Sequence, residues 1–161
     1  MRFEKVSYDE WLRRTGEPDG AETRQRYENI VLPRRSTSNS AGYDFFFPHE
    51  TESYGAGEQV TICTGIRWVV EEKDPPCVLL IAPRSSVGIK HGVSLANTIG
   101  IIDADYCHAD NEGHILAALR FAKSHTFAPA DRFMQGIIVP FITCGDEVDA
   151  QRIGGVGSTG Q

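Results

Sequence analysis

The sequence has no long apolar run, no excess of basic residues and no closely paired cysteines. Its apolar runs are far too short to cross a bilayer, and the polar residues 1–5 do not begin a signal peptide. We therefore expect a cytoplasmic protein that does not bind membranes. The formal net charge of −6 argues against nonspecific nucleic-acid binding, which requires a basic surface, although a few local arginines can still attract a small anion.

The cysteines do not suggest a disulfide framework or a metal site. Cys63, Cys77, Cys107 and Cys144 are scattered along the chain, and no Cys-x-x-Cys pair occurs. We expect reduced thiols. Cys107 and His108 are adjacent and lack the ligand spacing of a zinc site.

A short helix is predicted at the N-terminus, with no long amphipathic helix after it. Ser7 and Glu10 form a capping box, Gly16 can end the helix, and we expect Trp11 to pack against the domain. From Ile30 onward the chain is rich in short β-type segments separated by Gly and Pro. These segments are residues 66–70, 77–81, 93–102, 115–121 and 137–142. The pattern predicts an all-β sandwich or barrel, formed as one domain over residues 1–161.

The segment Asn-Thr-Ile-Gly-Ile-Ile-Asp-Ala-Asp-Tyr, residues 97–106, carries the most chemistry. A carboxylate beside an apolar run is a candidate general base, an amide can read the edge of a base, and a tyrosine ring can contact a sugar. Asp103 and Asp105 would share one face of a strand, so their spacing does not distinguish them. The alternative is a hairpin with Asn97 at the turn and both aspartates in a solvated loop.

Two other segments suit phosphate binding. Arg-Ser-Ser-Val-Gly, residues 84–88, combines a guanidinium, two hydroxyls and a glycine, although a surface ion pair would also explain its arginine. The glycine-rich residues 154–160 are reminiscent of a P-loop. They lack the Gly-Lys-Ser/Thr ending and a strand-to-helix context, which argues against a P-loop NTPase.

Five segments in this order resemble the five motifs of the trimeric dUTP diphosphatase (dUTPase) family, closest in pattern to Gram-positive bacterial and phage members. They are residues 41–44, 83–90, 97–106, 131–136 and 152–160. The resemblance implies a dUTPase-like distorted jelly-roll β-barrel with an N-terminal extension over residues 1–30 and a mobile C-terminal arm over residues 150–161. It also implies a homotrimer whose active sites combine residues of all three subunits.

By this resemblance the chain hydrolyses dUTP to dUMP and pyrophosphate, and Asp103 activates the water that attacks the α phosphorus. The residues implied to bind the phosphates are Arg84, Ser85, Ser86, Gly88, Gln135, Arg152, Gly157, Ser158 and Thr159. The residues implied to contact the base and sugar are Asn97, Gly100, Ile102, Tyr106 and Val156. In the family, the tyrosine excludes a ribose 2′-hydroxyl and a hairpin reads uracil.

The implied cofactor is Mg²⁺, held mainly by the phosphates and, through water, by Asp44. Taken alone, Asp44 would also suit a turn in which it bonds its own backbone. We expect Asp131 and Arg132 to form a structural ion pair.

Two departures from the family pattern have consequences. Val156 stands where many dUTPases have an aromatic residue over uracil, and losing a stacking interaction of roughly 1–3 kcal/mol predicts a weaker closed state. Residues 107–112 resemble an insertion in Gram-positive and phage dUTPases. Its histidine and acidic residues have no fixed ligand spacing, so a solvated loop is favoured over a metal site.

Two other functions stay open. A regulatory protein that binds a phage or bacterial repressor in a nucleotide-dependent way would use the insertion and the N-terminal helix as its partner surface. A dCTP deaminase, which has the same fold, would need an added acid/base glutamate at the base. Residues 87–88 and the Ile-Asp-Ala-Asp-Tyr segment favour dUTPase.

Overall fold

The computed structural model describes residues 1–145, so the expected C-terminal arm and its site residues, Arg152, Val156, Gly157, Ser158 and Thr159, lie outside the described residues. Twelve strands lie within residues 1–145. They are β1 (Arg2–Lys5), β2 (Arg34–Arg35), β3 (Gly42–Phe46), β4 (Glu52–Tyr54), β5 (Gln59–Cys63), β6 (Ile66–Val69), β7 (Cys77–Pro83), β8 (Val93–Leu95), β9 (Gly100–Ile102), β10 (Leu116–Phe121), β11 (His125–Phe127) and β12 (Arg132–Pro140). The helices are α1 (Tyr8–Thr15), α2 (Ala21–Glu28), a π-helix (Ser86–Lys90) and a 3₁₀-helix (Ala104–His108).

The strands form antiparallel sheets, and the predicted all-β class is confirmed. The largest sheet has the order β2-β3-β12-β7-β9, and a three-stranded sheet has the order β5-β10-β8. Two pairs, β1-β6 and β11-β4, complete the described sheets. The architecture is jelly-roll-like. None of the helices within residues 1–145 is long and apolar enough to span a membrane.

The core lies between the sheets and is rich in aromatic rings. The rings of Phe47 and Phe127 stack with centroids 5.2 Å apart, and those of Tyr54 and Phe121 with centroids 4.7 Å apart. Such offset contacts add stabilisation beyond the burial of apolar area. The four cysteines, all among the described residues, are free thiols, as predicted.

The N-terminal helix begins and ends as predicted. The Ser7 hydroxyl accepts from the Glu10 amide at 3.1 Å, and Gly16 closes the helix with a left-handed φ of 69°. Trp11 is fully buried and stacks on His49 with ring centroids 5.3 Å apart, which confirms its expected packing. A second short helix, α2, was not predicted. Its residues are good helix formers but have no apolar periodicity that would mark a buried face.

The predicted segment 93–102 is two strands rather than one. β8 pairs with β10, whereas β9 pairs with β7, so the two strands belong to different sheets. The alternative reading holds in part: Asn97 lies at a turn, but β8 and β9 do not pair as a hairpin, because this turn crosses from one sheet to the other. Thr98 at this turn has a positive φ of 69°, a conformation that directs the chain away from β8.

The five-stranded sheet has a buried face and an outer face. Leu79 and Ile81 point into the core and are 0% and 2% exposed. Leu80 between them pairs with both Ile137 and Ile101, so these three side chains form one row on the outer face. Ile101 is 61% exposed, which leaves an apolar strip on this face.

Candidate functional site

The candidate phosphate site is organised around Asp44, which is 6% exposed on β3. One carboxylate oxygen, Oδ1, pairs with Arg84 Nε at 2.9 Å. The other, Oδ2, accepts from the Ser36 hydroxyl at 2.6 Å and pairs with an Arg132 guanidinium nitrogen at 3.3 Å. Two positive charges around one buried carboxylate leave a local surplus that favours an anion.

Arg132 therefore pairs with Asp44, and the expected Asp131–Arg132 ion pair is wrong. The Asp131 carboxylate instead accepts from the backbone N–H of Ala128 at 2.8 Å, which closes the turn before β12. Asp131 is used by the turn before the strand begins, whereas Arg132 is the first residue of β12 and pairs with Asp44.

Sheet register brings Gln135 to the same place. Gln135 is paired with Asp44 on β3 and with Ala82 on β7, in the row next to Arg84. A Cβ on Gly42 would lie 2.9 Å from Gln135 Oε1, so the glycine leaves room for this side chain. Three of the predicted phosphate and metal residues, Arg84, Gln135 and Asp44, thus lie together.

The π-helix follows directly after Arg84 and places Ser85 and Ser86 at the exposed start of the turn. π-helical turns are rare and frequent at functional sites. The Gly88 amide donates to the Arg84 carbonyl at 2.8 Å, so it is used within the helix and is not presented to a phosphate. The expected approach of Gly88 to a phosphate stays a prediction.

A basic cavity of about 570 Å³ adjoins this cluster. Its lining includes Arg34, Arg35 and Arg132, with Asp131 as the acidic residue. The Arg34 guanidinium lies 5.3 Å from the centroid of the Phe46 ring, in cation–π contact. Sequence reasoning missed Arg34 and Arg35, although adjacent arginines in an acidic chain were the available signal.

The candidate nucleoside residues follow β9, which ends at Ile102. Asp103 has extended backbone angles (φ −70°, ψ 154°) and precedes the 3₁₀-helix, whereas Asp105 lies inside that helix. The two aspartates therefore do not share a strand face, and the expectation that they would is wrong. Both are exposed within one chain.

Tyr106 is 4% exposed, and its hydroxyl donates to the His114 carbonyl at 3.1 Å and accepts from Asn111 Nδ2 at 2.8 Å. Asn97 is exposed in the turn before β9, where its carbonyl accepts from the Ile99 amide at 2.7 Å. A Cβ on Gly100 would lie 3.0 Å from Ile81 Cβ. Gly100 therefore serves close strand packing, whereas the sequence suggested approach to a base.

Within one chain the two halves of the candidate site are far apart. Ile102 pairs with Leu79, so Asp103 lies level with Val78 at the start of β7. Val78 is six residues before Arg84, which directly follows β7. At about 3.3 Å per residue, this separation is roughly 20 Å. A catalytic base must lie within about 3 Å of the water it deprotonates, so Asp103 and Arg84 of one chain do not serve the same reacting phosphate.

The described residues fit a metal brought by the ligand better than one held by the protein. They contain no cluster of three or more His, Cys, Asp or Glu side chains suited to a metal ion. An ionised carboxylate has about four acceptor sites, and Asp44 uses three of them, which leaves one for a water molecule. This capacity suits Mg²⁺, which keeps several waters and binds substrate phosphates.

The insertion is only partly the solvated loop that was expected: His108 and Asp110 are exposed, whereas Cys107, Ala109 and Asn111 are buried. The Glu112 carboxylate accepts from both the amide and the hydroxyl of Ser7, at 2.7 and 2.5 Å. Burial would raise the pKa of Glu112, but these two hydrogen bonds and nearby arginines hold it below its usual range. The insertion is thus fixed against α1.

These features define the class of protein: a jelly-roll-like chain with an arginine-rich anion site and a separate acidic segment. The dUTPase family model matches residues 28–142. The deoxyuridine 5′-triphosphate nucleotidohydrolase of Lactococcus lactis is 39% identical over 149 residues, covering 88% of this chain and 97% of that protein. This chain belongs to the dUTPase family.

Solved structures agree with this assignment. The dUTPase of Streptococcus mutans superposes with a TM-score of 0.66 at 30% identity, covering 91% of this chain and all of that one. A Staphylococcus bacteriophage 80alpha dUTPase has the same fold, with a TM-score of 0.62 at 22% identity and coverage of 76% and 92%. That phage protein is described as controlling transfer of virulence genes by a G protein-like mechanism.

Proposed function

We propose that this protein hydrolyses dUTP to dUMP and pyrophosphate. The observation that carries the proposal is the arrangement of Arg84, Arg132 and Gln135 around the buried Asp44, in a chain of the dUTPase family. Guanidinium groups match phosphate oxygens in pairs, and Asp44 holds two of them in place. The reaction lowers dUTP and supplies dUMP for dTTP synthesis.

Asp103 is the proposed general base. It takes a proton from a water molecule whose oxygen forms a bond to the α phosphorus, while the bond from that phosphorus to the bridging oxygen breaks and pyrophosphate leaves. Arg84, with the hydroxyls of Ser85 and Ser86, orients the phosphates. Bound Mg²⁺ supplies charge neutralisation of the triphosphate, and Asp44 can hold one of its water ligands.

The nucleoside contacts follow from the same assignment. Asn97 reads the uracil edge from its exposed turn, and Tyr106 and Ile102 lie beside the deoxyribose. Arg152, Val156, Gly157, Ser158 and Thr159 are the proposed contacts of the C-terminal arm.

The site is completed by association into a homotrimer. The separation of roughly 20 Å between Asp103 and Arg84 within one chain requires that they meet across copies. The outer-face strip of Leu80, Ile101 and Ile137 supports such contacts, because exposed apolar rows mark protein interfaces. In this arrangement the catalytic base and the phosphate site of one reaction come from different chains.

A second function, nucleotide-dependent binding of a repressor protein, has one observation in its favour. α1 and the insertion are fixed together by Ser7 and Glu112 and so present one continuous surface. Turnover and partner binding are compatible on the same chain. Gel filtration with and without dUTP and a candidate repressor distinguishes an enzyme alone from an enzyme that also binds a partner.

Pyrophosphate release from dUTP, dCTP, dTTP and UTP with Mg²⁺ tests the proposed enzyme. We expect release from dUTP, loss of activity in Asp103→Asn, and retention in Asp105→Asn, the matched control. The reverse result would transfer the role of base to Asp105. Absence of hydrolysis with every nucleotide would refute the enzymatic proposal.

A further inference from the structure

A buried carboxylate and a buried histidine join α1 to the segment that follows the insertion. The Glu10 side chain is 1% exposed and the His114 side chain is 0% exposed. His114 Nε2 accepts from the Gly65 backbone N–H at 2.8 Å, so the ring proton lies on Nδ1. Nδ1 then donates to Glu10 Oε1 at 3.2 Å, and the ring has a defined tautomer and orientation.

The charge of Glu10 is balanced by its own helix. Arg13 and Arg14, one turn further along, both pair with the carboxylate, Arg14 at 3.3 Å. A buried carboxylate without such partners would be strongly unfavourable. The Glu10 carboxylate therefore has two arginine partners on its own helix and also faces His114.

His114 also fixes the tyrosine of the candidate site. Its backbone carbonyl accepts from the Tyr106 hydroxyl at 3.1 Å and from Asn111 Nδ2 at 3.3 Å, and Asn111 in turn bonds that hydroxyl. The ring of His114 contacts the helix while its carbonyl contacts the tyrosine. A single residue thus connects α1 to Tyr106.

We propose that Glu10 and His114 are positioning residues for the nucleoside end of the site, through which α1 sets the placement of Tyr106 and of the 3₁₀-helix that follows Asp103. The inference rests on the proposed function, which gives Tyr106 and Asp103 their roles. Glu10 lies outside residues 28–142, so the family match does not extend to it.

A second set of contacts joins α1 and its N-cap to the insertion, and it shares Arg13 with the Glu10 carboxylate. Glu112 binds Ser7 through both carboxylate oxygens, and an Arg13 nitrogen donates to the Asp110 carbonyl at 3.1 Å. Ser7→Ala removes the hydroxyl that bonds Glu112 and caps α1, and it leaves the side-chain contacts of Glu10 with His114 and the contact of Tyr106 with the His114 carbonyl in place. It is therefore the control for weaker docking and capping of α1.

The test compares Glu10→Ala, Glu10→Gln and Ser7→Ala by KM and kcat for dUTP and UTP, with the melting temperature of each variant. We expect Glu10→Ala to raise KM for dUTP about tenfold, equivalent to about 1.4 kcal/mol, and to reduce preference for dUTP over UTP. Glu10→Gln keeps an acceptor for His114 Nδ1 and restores most of that preference. Ser7→Ala lowers the melting temperature and leaves the preference unchanged.

Hydrogen exchange over residues 104–114 gives a readout that does not depend on turnover. We expect faster exchange of this segment in Glu10→Ala than in Ser7→Ala. If the wild type hydrolyses dUTP and Glu10→Ala keeps the wild-type KM and preference, the inference is overturned. If the protein does not hydrolyse dUTP, unchanged hydrogen exchange in Glu10→Ala overturns it. If Glu10→Ala does not fold, His114→Gln decides, because it removes the ring that contacts Glu10: reduced stability with unchanged KM, preference and exchange in this variant would contradict a positioning role.

Discussion

Gly113 is the position where one added methyl group is expected to cost most. Its φ is +74°, and a Cβ there would lie 2.6 Å from Cys107 Cα and 2.8 Å from the Tyr106 carbonyl oxygen. These neighbours are backbone atoms and do not move aside as a flexible side-chain tip would. The left-handed conformation costs an alanine about 1–2 kcal/mol, and overpacking adds about 1–3 kcal/mol.

Gly113→Ala should therefore lower the free energy of unfolding by about 2–5 kcal/mol, a large part of the roughly 5–15 kcal/mol of a typical domain. Gly57→Ala is the control, because Gly57 also has a positive φ, +87°, but a Cβ there meets nothing within 4 Å. Gly57→Ala should lower the free energy of unfolding only by the cost of the left-handed conformation, about 1–2 kcal/mol.

Urea denaturation followed by fluorescence of the buried Trp11 and Trp68 measures both variants at one protein concentration. Equal losses of unfolding free energy in the two variants would refute the close packing of Gly113 against the backbone of Tyr106 and Cys107. A greater loss in Gly113→Ala supports it.

Three further outcomes are expected. Burial lowers the pKa of His114 below the usual 6.5, so near that pH the unfolded chain binds a proton that the folded chain does not. Stability therefore falls as pH drops below about 6.5, and this decline, measured by denaturation, should be shallower in His114→Gln. Asp44→Asn leaves two arginines without their counter-charge and should lower the free energy of unfolding by roughly 2–3 kcal/mol. The loss is smaller than for a fully buried pair because the arginine side chains are 27% and 46% exposed, and an unchanged melting temperature would contradict the cluster. Ile101→Lys places a charge in the outer-face strip and should dissociate the homotrimer in sedimentation equilibrium, whereas an unaltered mass would exclude this strip from the interface.

Local patterns predicted the local elements of this fold. The capping box of Ser7 and Glu10 predicted α1, and runs of β-branched residues predicted β6 and β7. In α2 the sequence has no apolar face, so nothing in its periodicity marks a helix. The turn after Asn97 joins two sheets, which depends on tertiary pairing and has no signal within the segment.

The candidate site shows the same division. The arginine and aspartate segments stood out by composition and by resemblance to a family, but their partners are distant in sequence. Asp44 meets Arg84 and Arg132 only through strand register, and Glu10 meets His114 across 104 positions. Such contacts follow from the folded topology, and a single sequence does not encode them in any local pattern.

We propose that dUTP is hydrolysed at sites shared between copies of the chain, and mixing two inactive variants is the sharpest test of this proposal. Arg84→Gln and Asp103→Asn should each release almost no pyrophosphate from dUTP alone. When they are co-assembled in equal amounts, each site draws Asp103 from one copy and Arg84 from another, and about one quarter of the sites regain both residues. Recovery to about a quarter of wild-type activity is the predicted result. No recovery in mixed oligomers of correct mass would contradict the claim.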